Sequence, residues 1–293
     1  MALINIHDFI NKSRLFNKLE VDELLFVEYH CIGEEERMSY WTDNNCFVYI
    51  VKGKKKWETI HGTYYVKAGE AIFIRKGACS VNQYFDEDLC ALLIFVPDEF
   101  IKNVICNHTI TPATDKPFVK PDNLIPVKVD DNLSAYFLSV YNYFTESVKP
   151  PKDLLKLKFT ELIINIMMNP RNITLASYFS DICRDNAIPI EEVMNQNFAY
   201  NLRLEEFARL SARSLSTFKR DFLRHYKMSP GKWLTQKRLD YARFMLENTG
   251  KSIRQVVFDC GFENVSHFTK IFKNKYGEPP QKYRSKMSRN RIA

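Results

Sequence analysis

The chain has 293 residues, enough for two domains that each bury a core of their own. Hydrophobic residues make up 45% and charged residues 26%, which is the composition of a folded soluble protein and excludes a disordered one. No apolar run reaches the ~18 residues needed to cross a bilayer, and residues 1–14 lack the order of a signal peptide. A cytoplasmic protein without a membrane partner is expected.

Charge is divided unevenly. From Ile188 onward the chain holds 21 Lys and Arg against 10 Asp and Glu, whereas residues 1–187 hold 21 against 25. A basic final third beside a mildly acidic remainder points to a polyanion such as nucleic acid. The cysteines (Cys31, Cys46, Cys79, Cys90, Cys106, Cys183 and Cys260) are odd in number and form no Cys-x-x-Cys pair. They read as small buried hydrophobes and not as a disulfide framework.

Residues 24–32, 46–51, 56–60, 63–66, 71–75 and 89–96 are rich in Val, Ile, Tyr and Phe, and each is expected to be a strand. Close spacing of short strands favours a small barrel or sandwich. Residues 109–126 contain Pro112, Pro117, Pro121 and Pro126 and are expected to be a connecting loop. Glu34-Glu35-Glu36 and Lys54-Lys55-Lys56 read as solvated loops, or alternatively as protein contacts. Helical apolar stripes follow over 130–148 and 153–168; they suit a core, with a dimer surface as the alternative.

The C-terminal region repeats itself at an offset of 50 residues. Leu215, Ser216, Phe218, Phe222, Tyr226, Pro230 and Trp233 map onto Val265, Ser266, Phe268, Phe272, Tyr276, Pro280 and Tyr283. Each copy is expected to be a short helix, a tight turn and a second helix. Ser214 and Asn264 are suited to cap the second helices, and Gly261 to occupy a turn. Leu215, Phe218 and Phe222 share one apolar face. Ser216, Lys219 and Arg220 share another, as do Ser266, Thr269 and Lys270 in the second copy. A helix held by one face with donors on the other can enter a major groove, although a solvated basic face is the ordinary alternative. The expected connecting helix, 229–247, would span roughly 28 Å at about 1.5 Å per residue, close to the ~34 Å between successive major-groove faces.

At 251–262, continued by Ser266-His267-Phe268, Phe272-Lys273, Tyr276-Gly277, Pro280 and Tyr283-Arg284, the sequence resembles the AraC/XylS family of transcription regulators. Met228-Ser229-Pro230 and 237–243 match that family's connecting helix. The resemblance implies that Ser216, Lys219 and Arg220 are base-facing in the first recognition helix, and Val265, Ser266, Thr269 and Lys270 in the second. Arg209, Arg213, Arg224, Lys232, Lys237, Lys273 and Lys275 are candidates for phosphate contacts. Two positions depart from the family pattern. Ala212 stands where the first turn usually has glycine, at a cost of about 1 kcal/mol, and Val265 stands where a polar base-reader is common.

The strand-rich region, through 49–53, 62–74 and Lys76-Gly77, resembles the cupin-type sensing domain of this family, and most of all regulators of the type III secretion activator kind. That implies a small-molecule effector or a regulatory protein as partner, and family habit implies activation through RNA polymerase. A metal-dependent cupin enzyme fused to a DNA-binding module is one alternative, and a non-specific architectural DNA binder is another. His30, His61 and His108 are isolated and no His-x-His occurs, so neither a metal site nor a cofactor is assigned. No Gly-x-Ser-x-Gly, Walker-type or dinucleotide-binding motif is present, so no catalytic residue is assigned. The expected organisation is α+β and multidomain. A cupin-like β-barrel occupies 1–126, a helical linker and dimerisation region 127–187, and an all-α domain with two helix-turn-helix units 188–293. Its expected partner is double-stranded DNA.

Overall fold

Of the apolar runs expected to be strands, 24–30, 46–51, 71–75 and 89–96 are largely buried, whereas 56–60 and 63–66 are mostly half-buried or exposed. In the computed structural model, which describes residues 3–30, 37–82, 88–108, 122–184 and 189–290, the chain divides into two units. One comprises Ile4–Ala187 and the other Ile188–Ala293 with Met1–Leu3.

The first unit begins with β1 (Ile4–Asn5), α1 (Ile6–Lys12), β2 (Asn17–Val21), β3 (Leu24–His30) and β4 (Arg37–Thr42). It continues through β5 (Asn45–Lys52), β6 (Lys54–Glu58), β7 (Thr63–Lys67), β8 (Ala71–Ile74), β9 (Gly77–Asn82) and β10 (Cys90–Val96). Next come α2 (Asp98–Asn107), β11 (Leu124–Val127), α3 (Asp131–Asn142), α4 (Lys152–Met168) and α5 (Ile173–Cys183). The strands form two sheets, ordered β1-β4-β9-β6-β7 and β11-β8-β5-β10-β3-β2, so the sheet-rich domain is layered and not one closed barrel.

The six-stranded sheet is covered on both faces, which explains why its central strand β10 is buried at every residue. Leu93 and Phe95 join Val48, Ile50 and Ile72 in the core shared with the five-stranded sheet. Leu92 and Ile94 join Phe26, Phe47 and Phe73 in a second core with the helices. There Phe26 stacks on Phe159 of α4 at 3.9 Å between ring centroids, and Tyr49 on Phe137 of α3 at 4.5 Å. Each buried ring contributes about 1.5–3 kcal/mol of transfer free energy. Buried Asn45 accepts from the Tyr178 hydroxyl at 3.0 Å and donates to Asp98 at 2.6 Å, so α2 and α5 are tied to the sheet by polar bonds as well. The apolar stripes of 130–148 and 153–168 therefore serve the core.

Two expectations are corrected. Lys54–Lys56 is not a loop: it is the start of β6, where strand alternation turns Lys55 inward to 7% exposure with its ammonium 4.3 Å from the Tyr29 ring centre. The expected loop also ends too late, because Pro126 lies inside β11. That strand pairs with β8 alone, and an edge strand tolerates a residue with no N–H to donate. The sequence signals for β2, β4 and β9 were too mixed in polarity to be recognised. Glu34–Glu36, Pro112, Pro117 and Pro121 lie outside the described residues.

The second unit is helical: α6 (Ile190–Asn197), α7 (Leu204–Leu210), α8 (Leu215–Tyr226), α9 (Pro230–Asn248), α10 (Ile253–Asp259), α11 (Val265–Tyr276) and α12 (Pro280–Asn290). No helix among the described residues is long and apolar enough to cross a membrane.

Candidate nucleic-acid interface

The repeated sequence folds into repeated geometry. Ser214 accepts from the Thr217 N–H at 3.2 Å to begin α8, and Asn264 accepts from the His267 N–H at 2.9 Å to begin α11. Both helices end on a left-handed residue, Lys227 at φ +54° and Gly277 at φ +80°. Between those ends each helix is anchored by two fully buried phenylalanines, Phe218 and Phe222 or Phe268 and Phe272. Phe222 lies 4.5 Å from the Tyr226 ring and 6.1 Å from Trp233; Phe272 lies 4.6 Å from Tyr276 and 5.6 Å from Tyr283. Substitution of tyrosine for tryptophan thus leaves the aromatic anchor nearly unchanged.

The turns match as well, with a slip of one residue. Ala212 at φ +52° occupies the place of Gly261 at φ +78°, and the N–H groups of Arg213 and Phe262 return to Ala208 and Val257 at 2.9 and 3.1 Å. The second turn then has one residue more, Glu263, before its cap. The left-handed alanine expected from the sequence is present. Gly261 has a further reason to be glycine, since a Cβ there would lie 2.8 Å from the Ala199 carbonyl oxygen. Beside it, Arg238 of α9 donates from Nε to Phe198 O at 2.6 Å and from Nη2 to Tyr200 O at 2.7 Å. Burial lowers its pKa to about 10, still far enough above neutrality to keep the guanidinium charged.

Opposite the aromatic anchors, the proposed base-facing side chains are available. Ser216, Lys219 and Arg220 are exposed on α8, and Ser266 and Lys270 on α11, while Val265 and Thr269 are half-buried. Thr269 donates its hydroxyl to Val265 O at 2.8 Å, leaving oxygen lone pairs and a methyl group for a ligand. Arg220 has one close acid, Asp221 at 3.5 Å. Leu223, not expected from the sequence as a contact residue, is 54% exposed on the polar side of α8 where the second copy has Lys273. The signal in the sequence is a leucine in helical step with Ser216, Lys219 and Arg220 at a position that repeats as lysine.

The phosphate candidates are less uniform. Arg209, Arg224, Lys232, Lys237 and Lys273 are exposed. Lys237 has its ammonium 5.6 Å from the Phe198 ring and 5.7 Å from Trp233. Arg213 is half-buried and donates to Ser211 O at 2.7 Å, with Asp221 at 3.6 Å. Lys275 is held by Asp240 Oδ1 at 2.8 Å and Gln236 O at 3.2 Å. Those two side chains already brace the fold. α9, with 19 residues, is about 28 Å long and connects the two helix-turn-helix copies within the second unit.

Two family matches cover most of the chain: the ExsA N-terminal regulatory domain over residues 45–178 and a helix-turn-helix domain over 198–286. The virulence regulon transcriptional activator VirF of Yersinia enterocolitica is 24% identical, covering 80% of this chain and 87% of its own. The HTH-type transcriptional regulator ExsA of Pseudomonas aeruginosa is 24% identical over 80% of this chain and 84% of its own. An HTH-type regulator of Haemophilus influenzae reaches 38% identity over 29% of this chain and 28% of its own. These relatives are regulators, which removes the enzyme alternative. The chain belongs to the AraC/XylS family and is a DNA-binding transcription regulator.

Proposed function

We propose that this protein activates transcription from specific promoters by seating α8 and α11 in successive major grooves of one duplex. In this reading Ser216, Lys219 and Arg220 contact base edges in one groove, and Val265, Ser266, Thr269 and Lys270 do so in the next. The observation that carries it is the matched pair of helices: each is anchored by two buried phenylalanines and turns polar side chains to solvent. Arginine donates well to guanine O6 and N7, whereas Val265 and Leu223 suit a thymine methyl group. Arg209, Arg224, Lys232, Lys237 and Lys273 supply phosphate contacts, with Arg213 and Lys275 acting partly through the fold.

In this reading residues 188–293 are the DNA-binding domain, 1–126 the sensing domain and 127–187 the helical linker and dimerisation region, a division supported by the boundary between the two units near residue 188. The regulatory description of the domain matched at 45–178 supports a sensing role for a small molecule or a regulatory protein. A cleft of about 490 Å³ lined by residues including Tyr64, Tyr65, Lys128 and Arg171 has the size for a small ligand. Leu138, Leu157 and Met168, exposed at 45%, 64% and 67% on α3 and α4, suit a homodimer contact. The activator names of the relatives support activation; in this reading RNA polymerase is a partner and the cytoplasm is the place of action.

The test is selection of bound sequences from a random duplex pool, followed by transcription in vitro from the selected operator. Enrichment of two motifs one helical turn apart, with more transcript when protein is added, is the expected outcome. Absence of enrichment, or enrichment without spacing, would refute the two-groove reading.

A further inference from the structure

The pairing of β3 with β10 sets Cys90 opposite His30, and Glu28 lies two residues before His30 on the same face of the strand. A thiol, an imidazole and a carboxylate thereby converge, each offering a ligand atom within 4.8 Å of the others. His30 Nε2 is 3.5 Å from Glu28 Oε1. The second carboxylate oxygen is held from behind, accepting from Asn17 Nδ2 at 2.6 Å. Tyr141 of α3 donates to Glu28 Oε1 at 3.1 Å and accepts from the Cys90 thiol at 3.3 Å.

We propose that Glu28, His30 and Cys90 bind one divalent transition metal of the zinc class. Tetrahedral zinc bonds of about 2.0–2.3 Å place ligand atoms about 3.3–3.8 Å apart, so closing the site needs side-chain shifts of about 1 Å. His30 supplies that freedom, because its side chain is 59% exposed and also gives the ion a route from solvent. A thiolate and an imidazole select zinc, cobalt or copper over magnesium and calcium, which prefer all-oxygen shells. On binding, the Cys90 thiol releases its proton to solvent and the sulfur becomes a ligand. Asn17 orients the carboxylate, and water completes the fourth position. The ion would replace the hydrogen bonds through which Tyr141 joins α3 to this edge of the sheet.

The test uses the full-length protein, purified with its thiols reduced and titrated with cobalt(II) and then zinc(II). One equivalent of cobalt should produce a thiolate-to-metal charge-transfer band, and zinc should displace it. Cys90→Ser should abolish the band, while Cys106→Ser should retain it. His30→Gln, at an exposed position that leaves folding intact, should weaken zinc binding more than the about 10–100-fold typical of losing an outer partner. Circular dichroism checks the fold of each variant. The proposal is overturned if the wild-type protein shows no band, if the band follows Cys106 instead of Cys90, or if His30→Gln binds zinc as tightly as wild type. In that case Glu28, Tyr141 and Cys90 are a structural hydrogen-bond chain only.

Discussion

Gly261→Ala tests the geometry of the second helix-turn-helix in two ways at once. Its φ of +78° costs a Cβ-bearing residue about 1–2 kcal/mol. The added Cβ would also meet Ala199 O at 2.8 Å, Ala199 C at 3.1 Å and Arg238 Cζ at 3.1 Å. Two of those atoms are backbone, so either the 198–200 segment or the Arg238 guanidinium must move. Losing one of the charge-assisted bonds from Arg238 costs about 1.5–3 kcal/mol. The sum is a destabilisation of about 2.5–5 kcal/mol. Urea unfolding of the full chain, followed by helical circular dichroism, would measure it. Gly231→Ala is the control, because no atom lies within 4 Å of its Cβ position and the site is helical. It should be neutral or stabilise by up to about 1 kcal/mol. Ala212→Gly, relieving the left-handed alanine of the first turn, should stabilise by about 0.5–1 kcal/mol. The reasoning fails if Gly261→Ala costs no more than about 1 kcal/mol, for then neither the close approach to Ala199 nor the Arg238 bonds matter.

Arg220→Ala should weaken binding to the selected operator by about 1–3 kcal/mol and to random duplex much less, measured by fluorescence anisotropy. Lys232→Ala should weaken both alike and lower the salt slope by about one unit; equal losses from Arg220→Ala would make that arginine a phosphate anchor instead. Phe218→Ala, at a site with no exposed surface, should destabilise by about 3–5 kcal/mol in the same urea assay, and a smaller loss would mean that α8 can collapse onto the cavity. Burial opposes ionisation of Asp240, but hydrogen bonds from Lys275 and Tyr276 outweigh it and hold its carboxyl below the ordinary 3.8. Its stabilisation is therefore complete above the unfolded value and lost as pH falls through the lower folded one, so Asp240→Asn should flatten the acid limb of the stability profile below pH about 4.

The helix-turn-helix pair was legible in the sequence because its determinants are local. Phe218 and Phe222 lie four residues apart, Ser214 caps a helix three residues away, and the same signals recur at Phe268, Phe272 and Asn264. Charge likewise separated the basic third from the rest. Which basic side chains remain available to a phosphate was not legible, since Arg213 and Lys275 are engaged by Asp221 and Asp240, partners chosen by packing. The sheets show the same limit more strongly. Lys55 reads as a solvated charge until β6 pairs with β7 and β9 and turns it inward. His30 reads as isolated until β3 pairs with a strand sixty residues later and brings Cys90 opposite it. Helical contacts recur every three or four residues and can be read along the chain. Strand register is set by distant partners and by which face the core buries, and a slip of one residue would send every one of these side chains to the other side.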